Sequence, residues 1–237
     1  MKRNRGIAGS ILIILGLAAM LLTISTIVNG KYVQHFLVQR YEAEVNSETV
    51  EARETPVPEM PAATDGPKEE SVEELQAIHK IWPTLSPSRT SEEKKEPFPR
   101  EKYKDGMMII EIPKIKVQAA VIDGTSQRHL KKGPGLYEIS PLPDDEDGNV
   151  LIAGHRTTYG AWFRHVDKLK EGDEIVLKFN GREYRYRVER VFIVEKNDWS
   201  VTEATGYPAF TLTACHPPRS ARQRIVVRAR LEDTYNG

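Results

Sequence analysis

The stretch 208–231, PAFTLTACHPPRSARQRIVVRARL, decides how this chain is read. Two β-prone runs, PAFTLTAC and QRIVVRARL, flank a turn. Pro217 and Pro218 stop the first run, because proline cannot donate to a sheet ladder. At that stop sits Cys215, the only cysteine among 237 residues. A lone cysteine makes no intramolecular disulfide. It is a buried small hydrophobe, a reactive thiol or an intermolecular bridge.

Upstream the same texture recurs. MMIIEIPKIKVQAAVI (107–122) alternates and is rich in Ile and Val, with Pro113 marking a break. Thr125 or Ser126 can cap a short helix that Gly133-Pro134-Gly135 ends. The cluster SPLPDDEDGN is a turn, and VLIAGH is a short apolar strand. AWFRHVDKLKEGD reads as a helical turn ending at Gly172. EIVLKFNGREYRYRVERVFIV reads as a hairpin turning at Asn180-Gly181. Many short strands with little helix predict a mainly β fold, a closed or nearly closed barrel of about 130 residues.

The N-terminus differs in kind. No charge occurs from Gly6 to Gly30, and Ile7–Val28 as a helix would be about 33 Å long, enough to span hydrocarbon. Lys2, Arg3 and Arg5 precede the run, so the positive-inside rule predicts a cytoplasmic N-terminus and an extracellular remainder. The run is longer than a signal-peptide core. KYVQHFLVQRY (31–41) is expected to carry the helix into the interface, with Tyr32 and Tyr41 at headgroup level. From about 42 to 104 the composition becomes rich in Glu, Pro and Thr, which reads as a tether. A short helix is expected in SVEELQAIHKIW, capped by Ser71 with Glu74 three residues on. The expected division is a signal anchor at 1–30, a juxtamembrane segment and tether at 31–104, and a catalytic domain at 105–237. With 34 basic and 34 acidic residues, no chain-wide basic excess suggests nucleic acid.

A nucleophilic thiol needs a group to manage its proton. Of six histidines, His35 lies by the expected membrane and His79 in the tether. His216 neighbours Cys215 and so points to the opposite face of a strand. His129 and His165 sit in short helical stretches among charges. His155 ends the strand VLIAGH, where it can meet Cys215 at one barrel rim; pattern alone also allows a turn histidine without a role. No ligand set for zinc accompanies Cys215. An Arg can stabilise a tetrahedral oxyanion. Arg222 and Arg224 share strand parity, and alternation does not choose between them. With Ile225, Val227, Ala229 and Leu231 on the apolar face, Arg224 points away from the core.

These segments resemble the sortases. TLTAC is similar to that family's Thr-Leu-x-Thr-Cys motif and AGHRTTYGAWF to its histidine segment. ACHPPRSARQR and the upstream KGPGLY resemble the class E branch. The resemblance covers about residues 105–232. It implies a sortase barrel, a catalytic triad of His155, Cys215 and Arg224, and no cofactor or metal. It also implies transpeptidation at a Gram-positive cell surface. Cys215 would attack the Thr–Gly bond of a Leu-Pro-x-Thr-Gly or Leu-Ala-x-Thr-Gly sorting signal on a surface protein. An amine, from a cell-wall precursor, would release the product. Ala214 stands where the motif has a second Thr, and Thr213 points to the opposite face. Glu96-Pro97-Phe98 faintly resembles the Asp-Pro-aromatic lid of class C enzymes. The run Asp144–Asp147 falls near where class A members hold calcium, although four adjacent carboxylates usually form a solvated turn. The alternatives are a class C- or D-like sortase with other surface substrates, or a non-catalytic module on the same barrel. The exported L,D-transpeptidases place His-Gly before their Cys, which LTACHPP lacks.

Overall fold

Asn180 and Gly181 set one end of the barrel. Both have positive φ, 52° and 70°, as a two-residue hairpin turn requires. The turn joins β6 (Glu174–Phe179) to β7 (Arg182–Glu195) in antiparallel register. The computed structural model describes residues 3–53 and 97–236. The expected short helix at 71–82 lies outside the described residues.

Pro113 breaks the first β run as expected. β1 (Met108–Ile112) ends in a 3₁₀ turn, Pro113–Ile115, and Lys116 at φ 55° starts β2 (Val117–Ala120). Two two-residue strands follow, β3 (Ile122–Asp123) and β4 (Gly135–Leu136), with the four-residue helix α2 (Gln127–Leu130) between them. β5 (Asn149–Gly154), β8 (Ala209–His216) and β9 (Gln223–Asn236) complete the sheet. The strand order is β2-β1-β6-β7-β9-β8-β5-β4-β3. The two outermost strands, β2 and β3, are separated only by Val121, so one bent segment pairs with β1 and then with β4. The sheet thereby closes almost completely, leaving little free edge.

Alternation fills the interior. Ile110, Ile152, Leu177, Phe179, Tyr186, Phe210, Leu212, Ala214, Ile225, Val227 and Ala229 belong to one buried cluster. Period-two alternation therefore sends Thr211, Thr213 and Cys215 to the outer face of β8. On β9 the same rule sends Arg224, Val226 and Arg228 outward. The connection 196–208 lies over this outer face. Asn149 Nδ2 donates to Val201 O (3.2 Å) and Glu203 O (3.0 Å), and Arg228 Nη2 donates to Val201 O (3.0 Å).

Helix α1 runs Arg3–Arg53. Among the described residues no helix is long and apolar enough to cross a membrane. Within the expected span Ile7–Val28, the side chains at 7–12, 22–23 and 26–27 lie outside the described ones. The helix does continue past residue 31, but Tyr41 is not an interfacial anchor. Leu37 and Tyr41 are buried against Ile109, Ala120 and Ile122. Gln34 uses its side-chain amide as a strand would use its backbone: Nε2 donates to Ala120 O (2.9 Å) and Oε1 accepts from Ala120 N (2.8 Å). Residues 42–53, read as the start of a tether, continue the helix, and the docked stripe Gln34, Leu37, Val38, Tyr41 and Val45 reaches into their first turn.

The other side of the expected tether also meets the barrel. Phe98 packs edge-on against Phe179, with centroids 5.5 Å apart, and its N–H donates to Asp144 Oδ2 at 2.6 Å. That contact lies at the hairpin end of the barrel, away from Cys215, so Phe98 covers no part of the thiol's surroundings. Asp145, Glu146 and Asp147 form an exposed turn.

Gly181→Val would place a branched side chain in the left-handed region. It is expected to destabilise the fold by about 1–2 kcal/mol, read as a lower thermal midpoint with unchanged far-ultraviolet dichroism at 25 °C.

Candidate active site

The site is built on the outer face of three strands. β5 and β8 run parallel, with Ala153 beside Thr213 and Gly154 beside Ala214. Continued by one residue, that ladder brings His155 beside Cys215. β8 and β9 run antiparallel, and Cys215 faces Arg224 directly. Opposed residues on an antiparallel pair point to the same side. Thiol, imidazole and guanidinium line one cleft of about 460 Å³. The sequence-derived trio is thus brought together. Arg222, the other arginine of the expected pair, is exposed and lines a separate depression with Glu195 and Ala221. Arg224 is held by its own turn, Nη1 donating to Ala221 O (3.1 Å) and Gln223 O (3.0 Å).

His155 needs Gly154 before it. A Cβ on Gly154 would lie 2.5 Å from the Phe163 ring. Phe163 in turn donates its N–H to His155 O at 3.2 Å, tying down the loop behind the imidazole. The Tyr159 ring lies 5.2 Å from the imidazole, and Lys131 Nζ lies 5.2 Å from that same Tyr159 ring. Burial, and secondarily the Lys131 ammonium, push the His155 imidazole below its ordinary range. Its Nε2 is buried without a hydrogen-bond partner among the described residues, the state of a polar atom awaiting one.

Further residues of the site were given no role by the sequence. Tyr137, inside KGPGLY, reaches the cleft, where its hydroxyl meets Thr213 Oγ1 at 2.8 Å. Burial raises its phenol despite the Thr213 bond and the nearby Arg224, so the hydroxyl keeps its proton at neutral pH. Ala214 belongs to the core cluster, whereas Thr213 shares the Cys215 face. Trp199 stands exposed on the connection that forms the opposite wall, beside Asp198 and Lys196.

Arg156 is the least expected of these residues, since it directly follows His155 and looks like a surface arginine. Its side chain is 3% exposed. Nη2 pairs with Asp167 Oδ1 at 2.6 Å and Nη1 meets His216 Nδ1 at 3.3 Å. One guanidinium therefore ties the loop after β5 to the end of β8. His216, on the opposite parity from Cys215, serves this brace. Among the remaining histidines, His165 is exposed, and His129 Nδ1 lies 3.3 Å from Ser126 Oγ.

Arg156→Ala is expected to cost about 1–2 kcal/mol, less than a fully buried pair because Asp167 is half in solvent. Turnover should fall with it. Arg156→Lys should recover stability more than turnover, because an ammonium cannot bridge both partners. Equal recovery of both in the lysine variant would remove Arg156 as a positioning residue. Lys131→Gln removes a positive charge that disfavours imidazolium. The His155 titration midpoint, followed by NMR, should then rise toward the ordinary imidazole range; an unchanged or lower midpoint would exclude Lys131 as a cause.

The comparisons with known proteins fit this geometry. The sequence profile described as "Sortase domain" matches residues 110–232. Sortase D of Bacillus subtilis (strain 168) is 36% identical over 110 residues, 46% of this chain and 54% of its own. Sortase SrtE1 of Streptomyces coelicolor is 30% identical over 137 residues, 52% of this chain and 39% of its own. The chain thus spans about half the length of the curated relatives it matches. A crystal structure of sortase E1 from Streptomyces coelicolor, with a tripeptide in its active site, superposes with a TM-score of 0.52 at 26% identity. That match covers 54% of this chain and 88% of the other. A Clostridium perfringens sortase D5 transpeptidase shares the fold, with a TM-score of 0.57 at 22% identity, covering 85% of this chain and 99% of its own. With a profile matched over more than half its length, and with thiol, imidazole and guanidinium on one rim of the barrel, this chain belongs to the sortase family.

Proposed function

We propose that the chain is a membrane-anchored cysteine transpeptidase. It cleaves the Thr–Gly bond of a Leu-Pro-x-Thr-Gly or Leu-Ala-x-Thr-Gly sorting signal and joins the surface protein to an amine of a cell-wall precursor. The observation that carries this reading is the Cys215–Arg224 rung with His155 in the same cleft. The likeness to a sortase E1 that holds a tripeptide in its active site supports a peptide in the corresponding cleft here. The match to sortase E relatives supports the class E signal.

In this mechanism the Cys215 sulfur bonds to the threonine carbonyl carbon while His155 receives the thiol proton. Arg224 donates to the developing oxyanion. The carbon–nitrogen bond breaks as His155 returns the proton to the departing glycine amine, leaving a thioester. An incoming amine then attacks that carbonyl, its proton passes to His155, and the thiol is regenerated with that proton. Burial of His155 favours the acid step, because an imidazolium destabilised by burial gives its proton readily to the departing amine.

The anchor is proposed from the uncharged run Gly6–Gly30 and from the exposure of Ile13, Leu17, Leu21 and Val28 along α1. Residues 1–30, 31–104 and 105–237 then serve as anchor, connecting segment and catalytic domain. The catalytic domain stands outside the cell.

A sorting-motif peptide carrying an electrophile should form an adduct at Cys215 and none in Cys215→Ala, seen by mass spectrometry. An unlabelled wild-type protein would leave a non-catalytic module as the reading. Arg224→Ala is expected to slow acylation about 10²–10³-fold, the loss typical of one oxyanion donor, and Arg222→Ala to have a much smaller effect. The reverse order would move the oxyanion role to Arg222. His155→Ala combined with Cys215→Ala should match Cys215→Ala alone, because both act on one substrate.

A further inference from the structure

The docking of α1 fixes more than the position of a helix. Gly30 abuts the backbone of Lys131: a Cβ there would lie 3.0 Å from Lys131 O. The Lys131 ammonium lies 5.2 Å from the Tyr159 ring, which lies 5.2 Å from the His155 ring. The residue that ends the uncharged run therefore sits beside the catalytic rim. From Gly30 the helix runs toward the opposite end of the barrel, where Val45 and Asn46 share a cavity wall with Gly181 and Arg182. Arg182 opens β7, whose other end, Glu195, pairs with Gln223 next to Arg224. The two ends of the docked segment thus mark the two ends of the barrel, about 24 Å apart along the helix.

The attachment is specific and limits swivelling. Besides the paired bonds from Gln34 to Ala120, Arg40 Nη2 donates to Asp105 O at 2.8 Å. On the undocked side Tyr32 and Phe36, one turn apart, are 70% and 56% exposed. Aromatics at that depth suit the headgroup layer. Exposed Lys31 and Arg128 flank the same rim, where cations meet an anionic lipid surface favourably.

We infer that the docked half of α1 holds the barrel with its catalytic rim against the lipid headgroups, so that the cleft receives polypeptides presented at the membrane surface. This rests on the anchor reading above. Val28, the last apolar residue of the run, precedes Gly30 by two positions, about 3 Å along a helix. The headgroup layer beyond the hydrocarbon is about 5–8 Å deep, so the rim cannot stand far from it. Peptide substrates that are themselves embedded by an apolar segment would reach the cleft without crossing a tether's length of solvent.

The test uses the full chain in vesicles of phosphatidylcholine and phosphatidylglycerol, in a Cys215→Ala background. A fluorophore is placed at Arg128→Cys on the rim or Arg182→Cys at the far end. Lipids with a nitroxide on the headgroup should quench the first label and leave the second bright. Flotation after a carbonate wash reports anchoring separately. A chain that floats with both labels equally quenched, or with only Arg182→Cys quenched, overturns the orientation while the anchor stands. A chain that does not float overturns both. With Cys215 restored, Gln34→Leu should leave turnover of a short soluble peptide unchanged but lower turnover of a vesicle-embedded substrate about tenfold, a difference of about 1.4 kcal/mol. Equal turnover of the embedded substrate by Gln34→Leu and wild type would overturn the role of docking. If Gln34→Leu also loses soluble-peptide turnover, Arg40→Ala, which removes the bond to Asp105 O and an exposed ion pair with Glu44 within the helix, takes its place under the same two readouts.

Discussion

Cys215 and Arg224 occupy one rung of an antiparallel ladder, and the rest of the site follows from that rung. The neighbouring rung, Ala214 with Ile225, belongs to the core. A slip of one residue would turn Thr211 and Thr213 on β8, or Arg224 and Arg228 on β9, into the apolar interior and their apolar neighbours out of it, so the hydrophobic interior enforces the catalytic register. β7 extends the constraint by pairing with β9 along most of its length, through two irregularities between Arg185 and Tyr186 and between Val188 and Arg190. β5 extends it on the other side. His155 gains its position because it is the first residue past the parallel ladder with β8.

The barrel interior is filled with buried apolar side chains. The cleft lies instead on the outside of the sheet, between the wall at Thr125–Tyr137 and the connection 196–208. Each wall is fastened by hydrogen bonds to polar groups. Thr125 donates to Glu138 through its backbone N–H (3.0 Å) and its hydroxyl (2.9 Å). Asn149 bonds the other connection while accepting from Thr211 at 2.6 Å. The buried pair Asn149–Thr211, satisfied in this way, specifies one arrangement of its loop where apolar contact would allow several. The reacting groups therefore rest on strands, and the specificity-bearing surface rests on pinned loops.

Much of this was legible in the chain. The Asn180-Gly181 hairpin, the break at Pro113 and the ends of β5 and β8 were readable because turn residues and alternation act over a few neighbours. The helix beyond residue 31 was also readable, and the stripe Gln34, Leu37, Val38, Tyr41 and Val45 has helical spacing. What that stripe packs against was not, since the same spacing suits a membrane interface or a protein surface. β3 and β4, two residues each, are too short for any period to show. Arg156 looked like a solvent-facing arginine because its partners, Asp167 and His216, lie 11 and 60 positions away.

Alternation, prolines and glycines determined that this chain is mainly β, that one thiol ends a strand, and that Arg222 and Arg224 of SARQR share the parity that points away from the core. Those are properties of φ, ψ and side-chain parity, which short segments carry within themselves. The barrel's closure at Val121, the meeting of His155 with Cys215 across 60 positions, the preference for Arg224 over Arg222 at the cleft, and the seat of α1 beside the catalytic rim came from folding. Each depends on which ladder a strand joins and at what register. That is settled by packing one shared interior, to which residues far apart in the sequence contribute together.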